Sequence, residues 1–185
     1  MAFASTCRAF ARACALVAAI MAAGCAELAV LAPDEQVEFE FDGRIAVRYR
    51  DDASSGNVSW RHRVDGDEVL LTTPLGQGVA RIVREGGMVT LTTADSRQHT
   101  AADAEALTES VLGFRLPLAG LADWVRGRPS PGPALERRDA DGRLEKLEQS
   151  GWSIDFLAYA GDLPSRMKLA YPGIEIRLAI GEWRR

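Results

Sequence analysis

The sequence predicts a mainly β fold with two short helices, built on an antiparallel sheet of about eleven strands. Three observations carry this prediction. Apolar and polar residues alternate over most of the chain, the alternating segments are separated by turn-forming residues at hairpin spacing, and only residues 102–125 switch to helical periodicity. The predicted class is therefore α+β, with the helices covering one mouth or face of a curved sheet.

The first strand shows the alternation most clearly. Across residues 37–49 the odd positions are apolar and the even positions are mostly charged, so one face suits a core and the other suits solvent. Gly43 interrupts this pattern, and a glycine at such a point favours a bend or bulge. The next strand is predicted over residues 56–64, and the Asp-Gly-Asp sequence of residues 65–67 is predicted to form the turn that ends it.

The other predicted strands lie on both sides of the helical region and are bounded by Gly, Asp, Ser and Pro residues. They are expected at residues 68–73, 78–84, 88–93 and 97–100, and then at 135–138, 143–149, 152–159, 166–171 and 174–183.

Two helices are predicted between these groups of strands. The first covers residues 102–112, with Asp103 near its start and Gly113 as its C-terminal stop. The second covers residues 117–125, with Pro117 in its first turn and Gly127 after its end. The Pro-rich residues 128–133 then form a stiff connection back to the sheet, because they suit neither a helix nor a central strand.

Residues 1–24 are typical of a secretory signal peptide, since two arginines precede an apolar run too short to span a membrane. Residues 22–25 (Ala-Ala-Gly-Cys) resemble a bacterial lipobox, in which the cysteine is acylated and becomes the N-terminus. We therefore expect lipidation at Cys25, a tether over residues 25–36 and a single domain over residues 37–185. The alternatives are ordinary signal-peptide cleavage beside a cysteine that is not acylated, and a permanent membrane span.

The cysteines and the residue after the lipobox bear on the compartment. All three cysteines lie at positions 7, 14 and 25, so the mature domain has no internal disulfide. By resemblance to the sorting rule of bacterial lipoproteins, Asp after the acylated cysteine favours retention in the inner membrane. Ala26 stands there instead, which predicts a lipid anchor at the periplasmic face of the outer membrane.

The sequence offers little catalytic or metal chemistry. Its net charge of −4, with acidic and basic residues interspersed, argues against nucleic-acid binding. It contains two histidines, His62 and His99, and no nucleophile elbow, zinc-binding His pair or phosphate loop. His62 shares a strand face with Trp60, which favours a partly buried, hydrogen-bonded histidine over a catalytic one. We therefore predict no enzyme activity, no metal site and no cofactor.

Leu75 lies in a predicted loop, between Pro74 and Gly76. Proline and glycine shape a turn there and leave a large aliphatic side chain few ways to point inward. We predict that Leu75 is exposed on this loop and acts outside the fold's core. The alternative is a leucine folded back onto the sheet.

Short motifs follow one another along the mature chain: FDGRIAV at residues 41–47, SGNVSW at 55–60, LTTPLGQG at 71–78, ADAE at 102–105, LGFRLP at 112–117, LADWVRG at 121–127, GW at 151–152, LP at 163–164 and the closing Trp183. In order and spacing these motifs resemble the LolB family of outer-membrane lipoprotein receptors. The resemblance covers nearly all of the mature chain.

The resemblance implies a half-open antiparallel β-barrel with a helical lid and an apolar cavity. It also implies that the protein accepts acylated lipoproteins from a soluble LolA-like periplasmic carrier and delivers them to outer-membrane lipid without nucleotide energy, with the loop around Leu75 presenting an apolar side chain to the membrane. We expect the protein to act as a monomer. The candidate cavity-lining residues, for each of which ordinary core packing is the alternative, are Phe41, Ile45, Val47, Tyr49, Trp60, Leu71, Leu91, Leu107, Val111, Leu121 and Trp124.

Two other classes of function share some of these features. A structural lipoprotein that scaffolds an outer-membrane assembly machine would have the anchor and the strands, but would present an edge or groove to protein instead of enclosing a cavity. A lipid-binding lipoprotein for free lipids would share the cavity as well. Uptake of a fluorescent acyl probe separates the scaffold from the two lipid-binding classes. Acceptance of a lipoprotein from its carrier then separates the receptor from the general lipid binder.

Overall fold

In the computed structural model, residues 37–113 and 115–184 are described, and their strands form one antiparallel sheet. The predicted signal peptide, the lipobox with Cys25 and the tether lie outside the described residues. The strands are β1 Val37–Tyr49, β2 Asp52–Arg63, β3 Gly66–Thr72, β4 Gly78–Glu85, β5 Met88–Thr93, β6 Gln98–Ala101, β7 Leu135–Arg138, β8 Leu144–Gln149, β9 Trp152–Ala160, β10 Leu163–Tyr171 and β11 Ile174–Arg184.

The eleven strands of the described residues follow the order β6-β5-β4-β3-β2-β1-β11-β10-β9-β8-β7. All the pairs are antiparallel, and β1 with β11 is the pair that joins strands distant in sequence. The edge strands β6 and β7 do not pair with each other, so the sheet is not closed. This arrangement confirms the predicted half-open antiparallel architecture.

Two helices lie between β6 and β7: α1 Ala104–Leu112 and α2 Leu118–Trp124. Asp103 caps α1, because its Oδ1 accepts hydrogen bonds from the backbone N–H groups of Glu105 (2.9 Å) and Ala106 (3.2 Å). Gly113 ends this helix in the left-handed conformation, at φ 85°. Both caps are those that the sequence predicts. Pro117 precedes the first residue of α2 instead of lying within its first turn.

A β-bulge lies at Gly43, where the sequence predicts a bend or bulge. The pairing of β1 with β11 shifts register between Asp42 and Gly43, which leaves Gly181 of β11 unpaired in a bulge. A Cβ atom on Gly43 would lie 2.6 Å from the carbonyl oxygen of Ala179, so the two strands approach too closely there for any other residue.

Three strand boundaries differ from the prediction by two or more residues. The strand β2 begins at Asp52 instead of residue 56, because its polar first residues continue the backbone ladder with β1 across a tight turn at Arg50 (φ 56°). The turn after β2 ends before Gly66, so Gly66 and the following residue already belong to β3. The strand β10 begins at Leu163 and includes Pro164, which is tolerated because the register shifts directly after it.

The core lies between the inner face of the sheet and the two helices. Alternate residues of β1, β2, β4, β5 and β8–β11 are buried on this face, and they form one cluster with side chains from both helices. From the helices and the residue after α2, the cluster includes Leu107, Leu118, Leu121, Trp124 and Val125. The helices therefore cover the inner face of the sheet, as the sequence predicts.

Candidate functional site

An apolar cavity of about 80 Å³ lies between the inner face of the sheet and α2. Its floor is formed by β1–β4, β10 and β11, and its cover by α2 and the segment before it. All the side chains that border it are apolar. They are Phe41, Ile45, Val47, Val58, Trp60, Val69, Leu71, Ile82, Leu116, Leu118, Leu121, Val125, Leu169, Ile176 and Leu178.

Six of the candidate lining residues border this cavity: Phe41, Ile45, Val47, Trp60, Leu71 and Leu121. The other five do not. Among these five, Leu91, Leu107 and Trp124 are buried in the core cluster, and Tyr49 and Val111 are half-buried against it. These five side chains therefore lie in or against the core cluster and do not border this cavity.

Nine residues at the cavity were absent from the candidate set, and most of them come from strands after β2. Val69 of β3, Ile82 of β4, Leu169 of β10 and Ile176 of β11 occupy the same alternating positions that singled out the residues of β1. Extending the period of two to every predicted strand would have found them.

The cavity is small compared with an acyl chain. Its volume equals that of about two or three water molecules, each of which occupies roughly 30 Å³ in the liquid. This small volume shows that α2 and the inner face of the sheet pack closely against one another. A long acyl chain can therefore enter only if α2 and its neighbouring segment move away from the sheet.

Trp60 is held in place by a buried carboxylate. Its Nε1 donates to Asp67 Oδ1 at 2.9 Å, and the same carboxylate accepts from His62 Nδ1 (2.6 Å) and Arg84 Nε (2.6 Å). Burial raises the pKa of Asp67, but the hydrogen bonds from His62, Trp60 and Arg84 more than offset this, and the pKa lies below its usual value. The ionised carboxylate can only accept, so His62 carries its proton on Nδ1. His62 is thus a buried, hydrogen-bonded histidine of a strand, as predicted.

The end of α2 is fastened to the sheet by polar contacts at the edge of the core. Arg126 donates from Nη1 to Glu38 of β1 at 2.6 Å and lies over the ring of Phe39, 5.2 Å from its centroid. The hydrogen bond from Arg126 holds the pKa of Glu38 below its usual value. Trp124 Nε1 donates to Gln149 Oε1 of β8 at 2.8 Å. These contacts link α2 and the residues after it, which cover the cavity, to β1 and β8.

The loop between β3 and β4 projects Leu75 into solvent. Thr73 organises this loop, because its carbonyl oxygen accepts from Gly76 N at 2.9 Å and its Oγ1 accepts from Gln77 N at 3.1 Å. Gly76 adopts φ 86°, a conformation that favours glycine. Leu75 is 91% exposed, so it does not fold back onto the sheet. Pro74, at the start of the loop, is also exposed.

Within the described residues no group of three or more potential ligands could hold a metal ion. No helix in the described part of the chain is both long and apolar enough to cross a membrane.

The family profile described as "Outer membrane lipoprotein LolB" matches residues 37–183, which is almost the whole described domain. The chain belongs to the LolB family. Two relatives named Outer-membrane lipoprotein LolB agree. The protein of Thiobacillus denitrificans is 42% identical over 77% of this chain and 77% of its own length, and that of Chromobacterium violaceum is 37% identical over 90% and 94%.

A solved structure supports the fold alone. A DUF1329 family protein from Desulfovibrio piger aligns with 82% of this chain and 86% of its own, at a TM-score of 0.55 and 7% identity. Membership of the LolB family makes the chain an outer-membrane lipoprotein with a role in lipoprotein localisation. It confirms the family, the function class and the outer-membrane location that the sequence predicts. The family is one of lipoprotein-trafficking proteins.

Proposed function

We propose that this LolB-family protein takes acylated lipoproteins from a LolA-like periplasmic carrier into the cavity beneath α2 and inserts them into the outer membrane. The observation that carries this proposal is the wholly apolar cavity under a helical cover, on the same sheet as a loop that exposes Leu75. The cavity offers a place for acyl chains, and the loop offers a contact with the membrane that receives them.

The energetics favour a site that opens for its cargo. Each acyl methylene exposed to water costs about 0.8 kcal/mol, so a lipoprotein with three long chains cannot cross the periplasm bare. Accepting a chain requires α2 to move off the sheet, which exposes Leu118, Leu121 and Val125. This cost offsets part of the gain from burying the cargo. The net affinity is then moderate, and release into the membrane remains favourable.

The anchor and the loop have different roles in this proposal. Acylated Cys25 would hold the protein at the outer membrane, because several acyl chains bind far more firmly than one. Inserting Leu75 is worth only about 1.5 to 3 kcal/mol, too little to anchor the protein but enough to dock an already tethered one. Mass spectrometry of the mature protein tests the anchor separately, since an unmodified cysteine would exclude it.

The decisive experiment follows a labelled lipoprotein from its carrier to this protein and then to liposomes. We expect Leu75→Asp to accept the lipoprotein but not to deliver it, because a charge opposes insertion into hydrocarbon. Its stability should change by no more than about 0.5 kcal/mol, as is usual for an exposed position. The matched control is Leu135→Asp, which alters an equally large side chain, 70% exposed on the edge strand β7, and should leave delivery intact.

Several outcomes would contradict the proposal. Normal delivery by Leu75→Asp would remove the loop from the mechanism. A wild-type protein that binds a fluorescent acyl probe but accepts no lipoprotein from the carrier would be a general lipid binder, and one that binds neither would be a structural lipoprotein.

A further inference from the structure

A groove of about 460 Å³ crosses the outer face of the sheet, on the side away from the helices. Strands β1, β2, β9, β10 and β11 form it, and Pro74 borders it at the start of the loop that carries Leu75. Its lining contains three arginines, Arg44, Arg166 and Arg177, and no carboxylate. The groove therefore has a positive character in a chain whose acidic residues outnumber its basic ones by 26 to 22.

The register of the sheet brings two of these arginines together. Arg44 of β1 and Arg166 of β10 both pair with Ala179 of β11, from opposite sides. Since adjacent strands lie about 4.8 Å apart, the two Cα atoms are separated by roughly 10 Å. Ala179 presents only a methyl group between them, so both guanidinium groups can approach one anion above it.

These two arginines are uncompensated, unlike most others in the described residues. Arg61 pairs with Glu40 at 2.9 Å and Arg81 pairs with Glu68 at 2.7 Å, as is typical of the outer face of this sheet. Arg44 and Arg166 form no ion pair and no side-chain hydrogen bond with the described residues, 37–113 and 115–184. Arg177 has a partner, because its Nε lies 2.9 Å from Glu175.

Exposed apolar groups border the same groove. Leu157 of β9 is 62% exposed, although it follows the buried Phe156 in the strand. Pro74 connects the groove to Leu75, and Asn57 in the groove lining holds the base of that loop through a 3.1 Å hydrogen bond from Nδ2 to Thr73 O. Cationic groups beside exposed apolar ones fit a surface whose phosphates lie just above its hydrocarbon.

We propose that the groove around Arg44 and Arg166 binds the phosphates of membrane phospholipids and thereby fixes the angle at which the Leu75 loop meets the bilayer. This inference rests on the proposed function in one respect, which is that the protein acts at a membrane surface. It adds an electrostatic contact with anionic headgroups to the apolar contact of the loop. Guanidinium groups suit this role, because each can form two parallel hydrogen bonds to phosphate oxygens.

The test uses the mature chain, residues 25–185, with Cys25→Ala, so that neither the predicted signal peptide nor an acyl anchor holds it, and vesicles of phosphatidylethanolamine and phosphatidylglycerol in a 3:1 ratio. We expect binding to these vesicles, weaker binding to neutral phosphatidylcholine vesicles, and a decrease as salt is added. The double variant Arg44→Gln/Arg166→Gln should lower the partition coefficient about twenty-five-fold, since each arginine near an anionic surface contributes roughly a five-fold factor.

The matched control is Arg97→Gln/Arg137→Gln, which removes the same charge from arginines that are 77% and 62% exposed near the two edges of the sheet. This variant should bind anionic vesicles within about two-fold of the Cys25→Ala parent, because its arginines lie away from the groove. Thermal unfolding should be unchanged in both double variants, since neither removes a buried contact.

Two results would overturn the inference. The first is unchanged vesicle binding by Arg44→Gln/Arg166→Gln, and the second is an equal loss in both double variants, which would reflect net charge alone. If the first result came with impaired lipoprotein uptake, the groove would instead be assigned to an acidic face of the carrier. Because vesicle binding is measured without cargo or carrier, failure of the proposed transfer function would leave this result standing.

Discussion

At the scale of single residues, Asp67 is a buried carboxylate on which three side-chain donors converge. It is 1% exposed and accepts hydrogen bonds from Trp60, His62 and Arg84. Replacing it with alanine leaves those donors without an acceptor inside the protein. We expect Asp67→Ala to lower the free energy of unfolding by about 3 kcal/mol, measured by urea denaturation.

The neighbouring carboxylate provides the control for this substitution. Glu68 pairs with Arg81 on the outer face, where both side chains are partly exposed, so Glu68→Ala should cost less than about 1 kcal/mol. Equal losses in the two variants would show that the buried network contributes nothing beyond a surface ion pair.

The role of Asp67 could not be predicted from its local sequence. Asp-Gly-Asp is typical of a turn, and the prediction placed all three residues there. In the structure the turn ends two residues earlier, at Asp65, and Asp67 pairs across the sheet with His62. Burial of Trp60 and His62 followed from the alternation of β2. The partner that satisfies them depends on strand register, which no single segment encodes.

At the scale of elements, the loop that carries Leu75 depends on a close approach between β2 and β3. A Cβ atom on Gly56 would lie 2.1 Å from the carbonyl oxygen of Thr72, at the base of the loop. We expect Gly56→Ala to force the two strands apart and to cost about 1 to 3 kcal/mol of stability, measured by thermal or urea unfolding.

Gly78, on the other side of the same loop, is the matched control. A Cβ atom there meets nothing within 4 Å, and its backbone is not in the left-handed region, so Gly78→Ala should be neutral or slightly stabilising. If the two alanine variants were equally stable, the close contact at Gly56 would not affect the stability of the fold.

Periodicity predicted the type and order of every element, because alternation and helical spacing are local properties. Periodicity was less reliable at strand ends, because these depend on backbone pairing with the neighbouring strand. The polar start of β2 and Pro164 in β10 are examples. Periodicity also identified apolar faces without separating cavity from core. Leu121 of α2 borders the cavity whereas Leu107 of α1 packs into the core, and this difference depends on how each helix lies against the sheet.

At the scale of the whole molecule, ion pairs and hydrogen bonds hold several carboxylates in the ionised form. The hydrogen bond from Arg126 lowers the pKa of Glu38, and for Asp67 the hydrogen-bond donors outweigh the effect of burial. A carboxylate whose pKa is lower in the folded state stabilises the fold above its unfolded pKa, and this contribution is lost as the pH falls through the folded pKa. The carboxylates with a lowered pKa are Glu38, Glu40, Asp42, Asp67, Asp95 and Asp139.

We therefore expect the melting temperature to fall as the pH is lowered from 5 to 3, through and below the ordinary values of 4.5 for Glu and 3.8 for Asp. Calorimetry at constant ionic strength measures the trend. In Asp67→Asn the fall should be shallower, because one of the linked carboxylates is gone. A melting temperature that stays constant or rises between pH 5 and pH 3 would contradict this assignment of the charges.

The pairing of β1 with β11 also has a consequence for how the chain folds. Every other neighbouring pair in the sheet is joined by its own short connection, so β1–β6 and β7–β11 are two meanders that can form locally and quickly. The β1–β11 pair brings together residues as distant as Glu40 and Arg184. Closing that long loop is the slow, entropically costly step, and it also completes the floor of the cavity. The apolar cavity under α2 is therefore complete only when β11 has joined β1.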